Sequence, residues 1–105
     1  MAWIYLLVAG ALEVAWATGL KKLGDNFSTP LLVLTALAMI ASLVALYAAM
    51  ARLPLGIAYP LWTGIGSVGA VGVSIAFFNQ TLSISGMLGL ALLVFGMLLL
   101  GADAH

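Results

Sequence analysis

Residues 2–20 read AWIYLLVAGALEVAWATGL, an apolar run whose single charged residue is Glu13. About 20 such residues cross the hydrocarbon core of a bilayer as a helix. The run has no cationic segment before it and more apolar stretches after it, so it reads as a first transmembrane helix and not as a secretion signal. Glu13 is what makes the segment informative, because a charged side chain at the bilayer centre costs on the order of 3 kcal/mol even on lenient scales. No Lys or Arg lies within any apolar run to neutralise it. An ion pair inside one copy of the chain is therefore not expected, and a protonated, hydrogen-bonded carboxyl or a water-filled binding site remains.

The rest of the chain has the same character. Of its 105 residues, 66% are hydrophobic and 6% are charged, whereas a soluble domain is roughly half apolar and about a quarter charged. Short polar breaks divide it into four spans at 2–20, 30–50, 55–78 and 84–101, within one domain covering 1–105. The first break gathers Lys21, Lys22, Gly24, Asp25, Asn26 and Ser28 ahead of Pro30, the second centres on Arg52 before Pro54, and the third is polar and uncharged around Asn79 and Gln80. Connections this short leave every function to the space between helices. No internal repeat is evident, which argues against two inverted halves in one chain.

Four spans put both ends on one side with Arg52, and Lys21 and Lys22 on the other. With the terminal amine counted, the excess of positive charge that normally sets orientation almost vanishes, so the chain is expected to insert both ways. Cysteine is absent and the lone histidine is His105, so neither a disulfide, a metal site nor a cofactor is expected. A net charge of zero gives no footprint for nucleic acid. No nucleophile and base pair or phosphate loop points to an enzyme.

Two rows of residues accompany the glutamate. On the first helix, Gly10, Glu13 and Trp16 share a face at helical spacing, with Ala9 and Ala17 beside them. On the third, Tyr59, Trp62, Thr63 and Gly66 form a row of two hydroxyls, an indole and a glycine. A phenol can bond a carboxylate and an indole face attracts a cation. Ser42, taken as the one polar side chain well inside the second span, either orients Glu13 or bonds back to its own helix. Gly64 and Gly66 allow close packing and a bend, and Pro60 should distort the helix locally. Gly89 and Gly96 lie seven apart on the fourth helix and suggest a packing stripe for a second copy. Burial favours the neutral form of a carboxyl and a bound cation its ionised form, so proton and cation would compete at Glu13.

Leu12-Glu13-Val14-Ala15-Trp16-Ala17 in the first span, with Gly56-Ile57-Ala58-Tyr59-Pro60-Leu61-Trp62-Thr63-Gly64-Ile65-Gly66 in the third, resembles the small multidrug resistance family over nearly the whole chain. Trp16 after the glutamate and Thr63 after Trp62 look like its guanidinium-exporting branch. The resemblance implies an all-α, four-helix protein of the bacterial inner (plasma) membrane, working as an antiparallel, dual-topology homodimer. It implies proton-coupled export of guanidinium or small substituted guanidinium cations, with Glu13 binding substrate and protons and Trp16, Ser42, Tyr59, Trp62 and Thr63 orienting the carboxylates or lining the pocket. Two departures stand out: Pro60 replaces a small alanine, and Asn79-Gln80 replaces a Gly-Glu pair common in that branch. The alternatives are an exporter of bulkier quaternary ammonium cations and a non-transporting assembly or regulatory subunit.

Overall fold

The computed structural model describes residues 2–103, so His105 lies outside the described residues. Four helices follow one another: α1 (Ala2–Asp25), α2 (Thr29–Met50), α3 (Leu55–Phe77) and α4 (Ile84–Asp103), and no strand occurs among the described residues. Each is long and apolar enough to cross a membrane. Helices are what lipid demands of such sequences, since every backbone N–H and C=O must be satisfied within its own segment.

The helix ends have local causes. α1 does not stop at Leu20 but runs to Asp25, so Lys21 and Lys22 belong to its last turns and not to a loop. Leu20 to Leu23 are all good helix formers, and Lys21 pairs with Asp25 one turn on at 3.4 Å. The Asn26 N–H then donates to the Lys22 carbonyl at 2.8 Å. Ser28 precedes α2 with an extended backbone and no side-chain cap, and Pro30 occupies the first turn, where its missing N–H costs nothing. α3 begins after Pro54 and continues as one helix through Pro60.

At the end of α3, Asn79 adopts φ 58°, the one positive value at a non-glycine residue among those described. The Ser74 carbonyl accepts from both Phe78 N–H and Gln80 N–H, which turns the chain toward α4. Asparagine is the residue that tolerates this left-handed geometry best after glycine. The departure from Gly-Glu noted in the sequence therefore preserves the turn.

The helices do not form a four-sided bundle. α1 packs on both α2 and α3, whereas α4 touches only α3, and the Cα envelope measures 44 × 35 × 16 Å. The core is Leu6 and Ala9 of α1, Leu46 and Ala49 of α2, and Ile57, Ala58, Leu61 and Trp62 of α3. Close approach depends on glycines whose missing side chain a neighbour occupies: Gly10 lies against Ile65, Gly69 against Val14 and Gly64 against Met97. No residue of α4 is buried, and Gly89 and Gly96 face open space.

Replacing Asn79 by Val should lower stability by about 1–2 kcal/mol, the cost of forcing a Cβ-branched residue into the left-handed region. Asn79→Gly should match or slightly exceed the parent. Thermal unfolding in detergent, followed by size-exclusion chromatography, ranks the three.

Candidate functional site

The site begins with Ser42, which is completely buried. Its hydroxyl donates to the Ala9 carbonyl of α1 at 2.7 Å and accepts from the Trp62 indole N–H of α3 at 3.1 Å. Neither sequence alternative describes this bond pattern, because Ser42 turns to neighbouring helices and not to Glu13 or to its own. Three helices thus meet at one oxygen. Trp62 is held there with its ring 5.5 Å from that of Tyr59 at 53°.

Tyr59 follows one turn earlier on the same row but is 50% exposed, so its phenol lies at the protomer surface. The Thr63 hydroxyl is spent within α3, reaching the carbonyls of Tyr59 and Pro60 at 3.1 Å each. The carbonyl that Pro60 leaves without its helical donor is that of Gly56, one turn earlier, so the Thr63 bonds do not replace the one that proline removes. Ser67 and Thr18 likewise donate to carbonyls four residues back.

Glu13 leans across from α1 onto Gly66 of α3, where any side chain at position 66 would collide with the carboxyl. Its Oε1 is buried without a hydrogen-bond partner, and so is the indole nitrogen of Trp16, three residues on. A buried acceptor and a buried donor left unmatched each cost about 1–3 kcal/mol. Such groups call for a partner, whether a water, an ion or another chain. The two clefts of about 590 and 630 Å³ in the protomer include none of Glu13, Tyr59 and Trp62.

The structure therefore brings Ser42 and Trp62 together, sets Tyr59 at a tilt against Trp62, and places Glu13 on Gly66. Thr63 is engaged with its own helix. Thr35 of α2 escaped the sequence reading: it is 5% exposed, lies against Gly19, and its hydroxyl has no partner. A threonine in an apolar helix carries no signal of that kind, since most bond their own backbone. No cluster able to hold a metal occurs among the described residues.

The model of the family described as Small Multidrug Resistance protein matches residues 1–93. This chain belongs to the small multidrug resistance family. Proteins named "Guanidinium exporter" from Salmonella typhimurium strain LT2, Salmonella typhi and Citrobacter freundii are each 45% identical to it over 106 aligned positions, covering all of both chains. As a small multidrug resistance protein with four membrane-spanning helices, it is a multi-pass protein of the inner membrane.

Ser42→Ala should destabilise the fold by about 1–3 kcal/mol, because the buried Trp62 N–H loses its acceptor. Lower thermal stability with altered tryptophan fluorescence is the expected outcome, and unchanged values for both would deny the three-helix bond.

Proposed function

We propose that this chain is a proton-coupled antiporter that exports guanidinium or small substituted guanidinium cations. The observation that carries the reading is the Glu13 carboxyl, lying on Gly66 with Oε1 buried and unpartnered, midway along α1, whereas Asp25 and Asp103 stand at helix ends. A planar guanidinium offers paired N–H groups that match a carboxylate bidentately. The full-length similarity to proteins named guanidinium exporters supports that cation over a bulkier one.

Exchange follows from competition for one group. A bound cation favours the ionised carboxylate and releases its proton, and protonation cancels the attraction and releases the cation. Coupling then needs no second site. Trp16 offers an aromatic wall beside Glu13, while Trp62, fixed by Ser42, and Tyr59 offer the opposing aromatic surface.

We propose further that two copies assemble antiparallel, each completing the other's site. Three features support this: the unmatched Glu13 oxygen and Trp16 N–H, the half-exposed Tyr59, and an α4 with no buried residue whose open Gly89 and Gly96 permit close helix contact in lipid. The nearly balanced charges at the two membrane faces permit both orientations.

Proteoliposomes loaded with guanidinium or with a tetraalkylammonium ion, under an imposed proton gradient, test the reading. The parent should prefer guanidinium, and Glu13→Gln should reduce proton-coupled flux by at least about 100-fold (~2.7 kcal/mol) while the dimer still assembles. Coupled transport surviving in Glu13→Gln would reject Glu13 as the shared site.

Trp16→Ala should keep proton coupling but shift the guanidinium to tetraalkylammonium flux ratio toward the larger ion by roughly tenfold, since the wall beside Glu13 is lost and volume is gained. An unchanged ratio at matched protein levels would remove Trp16 from the pocket.

A further inference from the structure

Ala11, Ala15, Thr18 and Lys22 recur at helical spacing along α1, on the side about half a turn round from Glu13. Two clefts open on this row. One, of about 590 Å³, runs between α1 and α3 and is lined by Ala11, Ala15, Thr18, Val73 and Phe77, with Lys22 at its end. The other, of about 230 Å³, lies between α1 and α2 and includes Gly19, Leu31 and Thr35, again with Lys22. Lys22 is the one charged side chain lining either cleft among the described residues.

The two lysines at this end differ. Lys21 is paired with Asp25 at 3.4 Å, whereas Lys22 has no ion pair among the described residues. Thr35 adds a second, independent observation. Thr18, Thr63 and Ser67 each donate to a carbonyl of their own helix, but the Thr35 hydroxyl, in a residue only 5% exposed, donates to nothing. An unpaired cation and a buried, unused hydroxyl therefore share one small cleft, and the long apolar cleft opens on the same lysine.

We propose that this row is a binding site for an anionic phospholipid, its phosphate held at Lys22 and Thr35 and one acyl chain lying in the cleft between α1 and α3. Charge complementarity selects the occupant. A lysine in the last turns of a spanning helix reaches the headgroup level with its alkyl stem along the apolar wall. The phosphate accepts from the Lys22 ammonium and, once Thr35 turns its hydroxyl from Gly19 into the cleft, from that hydroxyl, while Phe77 and Val73 offer the chain an apolar surface. A zwitterionic lipid would gain the same apolar contact but bring a cationic group toward Lys22. The site lies on the far side of α1 from Glu13, so it is separate from the cation pathway proposed above.

Native mass spectrometry of the full chain, released from micelles containing equal phosphatidylglycerol and phosphatidylcholine, reads the preference directly. Phosphatidylglycerol should be retained over phosphatidylcholine in the parent. The preference should fall about fivefold in Lys22→Gln, the worth of one juxtamembrane cation, return in Lys22→Arg, fall in Thr35→Val, and persist in Lys21→Gln. Monodisperse elution of every variant establishes that the comparison is between folded proteins. Equal retention of the two lipids by the parent would overturn the proposal. So would a loss in Lys21→Gln matching that in Lys22→Gln, which is the mark of diffuse surface charge, or a Thr35→Val variant equal to the parent. Disulfide capture of a second copy through Ala15→Cys would make this face a protein interface and overturn it too.

Discussion

Everything in the α1–α3 core is arranged around one buried hydroxyl. Ser42 donates to the α1 backbone at Ala9 and accepts from Trp62 of α3, so a single oxygen on α2 sets the spacing and rotation of both neighbours. In lipid, apolar surfaces gain little by leaving the solvent, and close van der Waals contact and interhelical hydrogen bonds carry helix association. The glycines facing Ile65, Val14 and Met97 provide the contact, and Ser42 provides the directional bond. Because Trp62 is fixed by that bond, its ring is available at a defined angle to Tyr59.

The same close approach sets the glutamate. Gly66 gives up its side-chain volume to the Glu13 carboxyl, so the acid is held between α1 and α3 with Oε1 buried and no donor to it among the described residues. A fold that satisfied this group internally would be more stable and would have nothing to exchange. The unmatched oxygen and the unmatched Trp16 N–H are costs that a second surface, or for the oxygen a bound cation or a proton, can offset. Stability left incomplete in the protomer is thereby tied to the proposed transport cycle.

A second asymmetry runs around α1. One side carries the acid and lies on Gly66 of α3, while the opposite side carries Ala15, Thr18 and Lys22 with their two clefts. The helix can serve both because a period of 3.6 residues keeps the two rows about half a turn apart. Extension of α1 through Lys21 and Lys22 matters here, since only a helical Lys22 stays in register with Thr18 and Ala15.

The apolar runs, the lone acid and the two helical rows were legible in the sequence because they depend on composition and on a fixed period. Lipid forces each apolar run of that length into a helix, and residues three and four apart then share a face whatever surrounds them. The family resemblance rested on the same local features, above all Glu13 and the segment from Tyr59 to Gly66. What depended on partners from other helices was not legible. Ser42 could have turned to Glu13, to its own backbone or elsewhere, and only the packing of Ala9 and Trp62 around it decided the matter. Thr35 gave no sign of its burial against Gly19, and Thr63 none of its engagement with its own backbone. The end of α1 was misplaced because Lys21, Lys22 and Asp25 read as loop polarity, while a 3.4 Å pair one turn apart keeps them helical. A side chain's type and period are properties of the chain, but its hydrogen-bond partner is a property of three-dimensional neighbours, and those exist only once the helices have packed.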